Sequence, residues 1–338
     1  CGGDGQEMRR RVGLWLLLSL TALLLAFIAA LCIGRYPLKL SECARVLLGR
    51  EPADSRLYAV VMQVRLPRAL LAALAGAGLS VAGAAFQSMF SNTLATPDTL
   101  GAATGASLGA TLGILLRLNG AGIQALAFVF GVLAIGLVCR LSQIRGQSSA
   151  MMLVLSGIVI GALCEAMVSL MKYTADPQDV LPQITFWLMG SFSGVGLRAV
   201  LLGSIPILLG IAVLLALRWR FNALSLSEDE ARALGLKVQR LRAVIILFSA
   251  LITASVVSLA GKVGWVGLLA PHGARMLFGN DNRLVLPSSA ILGALFLLCI
   301  DTIARSVSAS ELPLSVLTAA IGAPVFIVLL RKTGGIRE

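Results

Sequence analysis

Apolar runs long enough to cross a lipid bilayer recur along the whole of this 338-residue chain. A helix needs about 20 such residues to span the hydrocarbon core. In lipid the backbone must satisfy its own hydrogen bonds, so only helices and closed barrels can span. The runs lack strand-period alternation, which argues against a barrel. They fall near 13–33, 59–82, 100–117, 121–140, 149–171, 199–217, 243–261, 264–279, 287–307 and 313–331. The sequence therefore predicts an all-α polytopic membrane protein with about ten transmembrane helices. Composition agrees, since 58% of the residues are hydrophobic and 13% charged, too little polar surface for a soluble chain of this length.

The chain divides into a tail at 1–12, a single ten-helix domain at 13–332 with a polar inner loop at 219–242, and a tail at 333–338. An even number of spans puts both termini on one side. Arg9, Arg10 and Arg11 flank one end and Arg331, Lys332 and Arg337 the other, so that side is expected to be cytoplasmic. Residues 1–7 belong to no span, and Met8-Arg-Arg-Arg reads as the natural beginning. The residues before it would be an upstream start, an added leader or a lipid-anchor cysteine. The first apolar run is span-length, so no cleavable signal peptide is expected.

A formal net charge of +12 invites a nucleic-acid partner. The basic residues sit mostly in short loops between spans, however, where the positive-inside effect and contact with membrane lipid account for them. No nucleic acid is expected. The surplus on the outer side is concentrated between the first two spans, at Arg35, Lys39, Arg45, Arg50 and Arg56, then Arg65 and Arg68. The six cysteines show no metal or redox spacing and read mostly as small packing residues. A single histidine, His272, argues against a histidine-built metal site.

Local patterns add detail. Gly101, Gly105, Gly109 and Gly113 recur every four residues, so one face of the third span admits close approach of another backbone. Tight packing explains that ladder, and sliding during transport would use it too. Asp176 to Trp187 reads as a short surface helix outside. Inside, Ser227 followed by Glu228, Asp229 and Glu230 is a helix start, and Gly235 a stop. Arg275 to Pro287 is a polar hinge between two spans. The eighth span is short, and Pro271 would kink it or end it early.

No phosphate loop, catalytic triad or metalloprotease motif is present, so no enzyme chemistry is expected of this chain. Intramembrane charges are few: Glu165, Asp301 and Arg305. Asp301 and Arg305 are four apart on one helix and can pair. Glu165 has no such partner, and it faces a solute path or bonds a neighbouring helix. Carriers driven by ion gradients usually hold more polar groups at mid-depth. Energy supplied by a separate subunit is therefore the main reading, and an ion-coupled secondary transporter the alternative.

Several motifs together are specific. They are Arg65-Leu-Pro-Arg68, Gly83-Ala-Ala-Phe-Gln87, Asn92-Thr-Leu-Ala-Thr-Pro-Asp98, Phe186-Trp-Leu-Met-Gly-Ser191 and Ala231-Arg-Ala-Leu-Gly235. The C-terminal set is the densest: Val266-Gly-Leu-Leu-Ala-Pro-His272, Arg275, Gly279-Asn-Asp-Asn-Arg283, Asp301, Ala304-Arg305 and Glu311-Leu-Pro313. From Arg65 to Lys332 the chain resembles the permease subunits of ABC importers for iron-siderophores, haem and cobalamin, a BtuC-like type II importer fold. The resemblance implies a permease in the bacterial or archaeal plasma (inner) membrane, working as a homodimer or with a paralogous permease. Two cytoplasmic ATPase subunits would dock inside and one substrate-binding protein outside. It implies no cofactor in this chain, with ATP and Mg held by the partner ATPase. The cargo would be an iron chelate, haem or cobalamin, with a molybdate-type oxyanion as the alternative.

The resemblance also implies residue roles. Arg65, Arg68 and Arg305 would meet acidic residues of the binding protein. Ser227, Glu228, Ala231, Arg232 and Gly235, with Gly279, Asp281 and Arg283, would couple to the ATPase. Asn92, Leu94, Ser149, Ala150 and Met151 would form the inner gate. The chain departs from the family pattern at Thr93, where proline is usual, and at Asn282, where histidine is usual.

Overall fold

A computed structural model describes residues 3–144, 147–148, 150–224, 228–308 and 310–332. The helices in chain order are α1 (Gly3–Cys32), α2 (Leu40–Leu47), α3 (Arg56–Tyr58), α4 (Leu66–Met89), α5 (Ala102–Leu115), α6 (Gly120–Leu141), α7 (Ala150–Thr174) and α8 (Val180–Met189). They continue as α9 (Leu197–Ala216), α10 (Arg218–Leu224), α11 (Glu228–Ala233), α12 (Val238–Ala260), α13 (Val266–Phe278), α14 (Asn282–Ala304) and α15 (Leu314–Lys332). A π-helical stretch, Ala59–Arg65, joins α3 to α4 without a break. Gln143–Ile144 and Gln147–Ser148 make a two-residue antiparallel ladder between α6 and α7.

Each of the ten apolar runs is a helix. Among the described residues seven are long and apolar enough to cross a membrane. The others are α5, α13 and α15. α13 has 13 residues and rises only about 20 Å, short of the roughly 30 Å hydrocarbon core. α1 already begins at Gly3, although its apolar span is Val12–Cys32. α8 starts later than the expected surface helix and is seated, with Val180 and Ile184 buried.

The bundle is built around α4, which packs on α9, α12, α13 and α14. Glycine makes this possible. A Cβ on Gly76 would overlap the carbonyl oxygen of Gly293, and one on Gly83 that of Gly267. Gln87 Nε2 donates to the same Gly267 oxygen at 3.2 Å, and Arg275 donates to Gln87 Oε1. Two motifs far apart in sequence thus form one contact. The four-residue glycine ladder works likewise: Gly105 and Gly109 lie against Phe130 and Leu126 of α6, and Gly113 against Ile123.

The antiparallel α4–α14 pair is fastened at both ends. At one end Arg68 Nε donates to Asp301 Oδ1 at 2.7 Å, and Arg68 Nη1 to Glu311 Oε1 at 2.7 Å. The Arg68 and Asp301 side chains are 5% and 1% exposed. Arg305 Nε stands 3.6 Å from Asp301 Oδ2, so the in-helix pair read from sequence is the weaker of Asp301's two partners. At the other end Ser88 Oγ donates to Asn282 Oδ1 at 2.8 Å. Ser88 lies twenty residues along from Arg68, about 30 Å on a helix. Arg65 and Arg305 serve α1 instead. Arg65 Nη1 donates to the carbonyls of Leu31 and Cys32 at 2.6 and 2.8 Å, its Nη2 to Tyr36, and Arg305 Nη2 to Ala30. These include last-turn carbonyls that a helix leaves without intrahelical partners. The positive charge also suits that end of the dipole.

Two outcomes test this packing. Gly83→Ala should lower the melting temperature of the detergent-solubilised chain, whereas Gly136→Ala, with nothing within 4 Å of the new methyl, should leave it unchanged; equal melting of both would refute the close contact. Arg68→Met strands a buried carboxylate and should cost about 3–5 kcal/mol, with partial recovery in the Arg68→Met, Asp301→Asn double variant. A single variant as stable as the parent would show that the network contributes nothing.

Candidate functional site

Polar residues gather at the two ends of the bundle and along α7. The end that holds Asn282 is built from α10, α11, α13 and α14. Gly279 ends α13 with φ +75°, and Asp281 caps α14 by accepting from Arg283 N at 3.0 Å. α14 therefore starts at Asn282, and the polar hinge expected as far as Pro287 is shorter than its composition suggests. Asn222 Nδ2 donates to Asp281 Oδ1 at 2.7 Å, and Asn222 Oδ1 accepts from Asn282 N at 2.8 Å. Arg283 closes onto Asp281 Oδ2 at 2.6 Å and stacks 4.7 Å over the Trp219 ring. Asn282, where the sequence departs from the family pattern, is buried and has a fixed partner in Ser88.

Hydrogen bonds from Arg283, with Asn222 assisting, hold the Asp281 carboxyl at about 2, against an ordinary 3.8. A depressed carboxylate contributes stability above its unfolded value and loses it as pH falls through the folded one. The turn therefore keeps its charge at neutral pH and weakens only between roughly pH 4 and 2.

Beside the turn lies α11. Ala231 is buried and anchors it, while Leu234, the residue after the helix, is 65% exposed. Gly235 stops it at φ +80°, and Leu236 N reaches back to Ala231 O at 3.2 Å. Ser227 lies outside the described residues, and the side chains of Glu228 and Arg232 do too.

Asn92 and Leu94 lie in the loop after α4. Asn92 Oδ1 accepts from Leu94 N at 2.9 Å, and both residues are exposed. The following turn, Pro97–Leu100, packs on α7 where Gly157 leaves room for the Thr99 carbonyl. Met151 is exposed at the start of α7. Ala150 opens that helix, with its side chain outside the described residues, as is Ser149. Of the expected gate residues, Asn92, Leu94 and Met151 have described side chains, and each is exposed. Glu165, further along α7, reaches Lys262 Nζ at 3.7 Å, and both are open, the carboxylate 63% exposed. The neighbouring-helix reading of Glu165 has a partner in the segment after α12.

At the other end, Arg65, Arg68 and Arg305 are buried, inside rather than on the outer surface where docking was expected. Their heads line a cleft of about 170 Å³ that Arg35, Tyr36 and Glu311 complete. Arg35, Lys39, Arg45, Arg50 and Arg56, in the segment between α1 and α4, are exposed. Among the described residues no group of three or more His, Cys, Asp or Glu is arranged to hold a metal ion. Sequence reasoning missed Asn222, Trp219 and the Arg68–Glu311 bond. Each is a long-range contact without a local signal, the last across 243 positions.

Comparison with known proteins now bears on this arrangement. The family model described as the FecCD transport family matches residues 22–332. The molybdate import system permease protein MolB of Haemophilus influenzae is 41% identical over 96% of this chain and 97% of its own length. A probable iron chelatin transport system permease of Helicobacter pylori is 35% identical over 94% of this chain and 98% of its own. A solved structure described as an inward-facing conformation of a putative metal-chelate type ABC transporter superposes with a TM-score of 0.86 at 39% identity, covering 94% of this chain and 98% of that one. The motif contacts, the helical bundle and a family match across nearly the whole chain agree: the protein belongs to the FecCD transport family and is a permease of ABC importers.

Proposed function

We propose that this chain carries a molybdate-type oxyanion across the plasma membrane as one half of a permease dimer, with ATP hydrolysed by a separate subunit. The observation that carries the cargo is the 41% identity to a molybdate permease over nearly the full length of both chains. An iron chelate is the second reading. It is supported by the Helicobacter pylori relative and by the description of the superposed structure.

The dimer face would be the exposed side of α7. Met151, Leu155, Ile158, Val159, Leu163, Met167 and Leu170 are exposed apolar residues along it, and Glu165 lies among them. A carboxylate facing lipid at mid-depth costs about 2.5–3.5 kcal/mol. A second copy and a water-filled path between the copies remove that cost. The Asn92–Leu94 loop and Met151 would gate the inner end of this path.

Coupling would run through α11 and the Gly279–Arg283 turn. Leu234 is an exposed apolar knob at the end of a short helix, the shape that fits a groove on a partner. The orientation follows from the basic tails and puts this end in the cytoplasm and the arginine-lined cleft outside. There an acidic side chain of a binding protein would be steered by the exposed arginines and received by the cleft.

Three measurements check these statements. With the ATPase and binding protein reconstituted in vesicles, ATP-dependent uptake of labelled molybdate should exceed uptake of a ferric hydroxamate; the reverse order selects the second reading. Leu234→Asp should abolish copurification of the ATPase while leaving the chain's own melting unchanged, and an intact complex would remove α11 from the interface. Arg35→Glu should weaken binding-protein docking several-fold with ATPase association unaltered; unaltered docking would leave the outer cleft without this role.

A further inference from the structure

We propose that Cys32 and Cys43 form a disulfide that ties the outer helix α2 to the end of α1. Cys32 is the last residue of α1, and Cys43 lies on the buried face of α2 beside Val46. Their sulfur atoms are 3.7 Å apart although the residues are eleven positions apart in sequence. The Cys43 thiol also lies 3.6 Å from the Leu31 carbonyl. Both are free thiols in this structure, and the 3.7 Å gap must close to about 2.05 Å for the bond to form.

Both partners are held in position. Arg65 grips the carbonyls of Leu31 and Cys32, so the backbone under Cys32 is fixed with its thiol in contact with that of Cys43. α2 is capped at its start, where Glu42 Oε2 accepts from Lys39 N at 2.8 Å, and it is anchored through Cys43 and Val46. Among the described residues this is the sole thiol pair in contact, and Cys139, Cys164 and Cys299 lie within the bundle helices.

The inference rests on the orientation proposed above, which exposes the segment between α1 and α4 to the outer, oxidising side where disulfides persist. The oxidant is a disulfide-bearing molecule of that compartment. Cys32, the less buried of the two, attacks as its thiolate, forms a mixed disulfide and releases one thiol of the oxidant. Cys43 then gives up its proton and attacks the Cys32 sulfur, expelling the second thiol. One S–S bond forms here, one is reduced there, and two hydrogens pass to the oxidant. Burial, followed by the Cys32 thiol, pushes Cys43 up to about 11. The closing step needs the Cys43 thiolate and therefore accelerates as pH rises. The ring so formed contains Gly34, Arg35 and Tyr36, which wall the arginine-lined cleft. The bond would hold that wall in place.

The test uses the full chain in its native membrane vesicles, with free thiols trapped by alkylation before non-reducing digestion and peptide mass spectrometry. The expected result is a Cys32–Cys43 linked peptide pair, two hydrogens lighter than the separate peptides and lost on reduction. The purified chain treated with oxidised glutathione should form the same link faster at pH 9 than at pH 7. Alkylation of both cysteines in the vesicles and again after oxidised glutathione would overturn the proposal. A second arm labels Arg50→Cys in intact cells with a membrane-impermeant maleimide, read on its own peptide. Labelling there with Cys32 and Cys43 still free refutes the disulfide and leaves the orientation standing. An unlabelled Arg50→Cys refutes the orientation on which the oxidising environment depends.

Discussion

The rest of this structure depends on backbone meeting backbone along α4. Between helices in lipid there is no hydrophobic gain, because the surrounding chains are as apolar as leucine. Association must come from close packing and from polar groups that find partners. Gly76 against Gly293 and Gly83 against Gly267 supply the first, since any side chain at these positions would overlap a carbonyl. Arg68 with Asp301 and Ser88 with Asn282 supply the second. Three of these, Arg68 with Asp301, Gly76 with Gly293 and Ser88 with Asn282, join α4 to α14 and keep one antiparallel register over the thickness of a membrane. A one-residue slip would break all of them together.

That register joins the two functional ends. The arginine-lined cleft and the Asp281 turn are assembled on the opposite ends of the same helix pair. Buried ion pairs are weak evidence for stability, because desolvation offsets most of the attraction. Arg68 and Asp301 have a clearer role as specificity devices. They leave one alignment of α4, α14 and the Glu311 segment in which Arg68 meets both Asp301 and Glu311. Arg65 and Arg305 extend the same logic to α1 by occupying carbonyls at its end.

Much of the fold was legible in the sequence because lipid makes the rule simple. Each apolar run became a helix, and the glycine ladder at Gly105 and Gly109 packed as its spacing implied. The boundaries moved where polar residues carried on a helix that apolarity alone would have ended. α14 begins at Asn282 and not near Pro287 because Asp281 caps it and Asn222 reaches in from α10. The site was less legible. Asp301 read as the partner of Arg305 four residues on, whereas the shorter bond goes to Arg68, 233 positions away. The family resemblance implied an outer docking role for Arg65, Arg68 and Arg305. Nothing local signals that the heads of Arg65 and Arg305 reach carbonyls of α1 or that Arg68 reaches Asp301 and Glu311. Two cysteines eleven residues apart carried no recognisable spacing, yet a helix end and a short capped helix bring their thiols into contact.

The same constraints bear on movement. A helix pair that is glycine-tight at its middle and bonded at both ends cannot shift by a turn without driving Cα atoms into carbonyls and stranding Asp301. Sliding along the α5–α6 ladder meets the same obstacle, since Gly105 and Gly109 already lie against backbone oxygens. Among the described residues the exposed face of α7, apolar from Met151 to Leu163, carries no such lock, while its other side packs on α5, α6 and the Pro97–Leu100 turn, where Gly157 meets the Thr99 carbonyl. The α4-centred block is thus one unit, and the turn where Asp281, Asn222 and Arg283 are bonded together lies about 30 Å along α4 and α14 from the arginines at the other end.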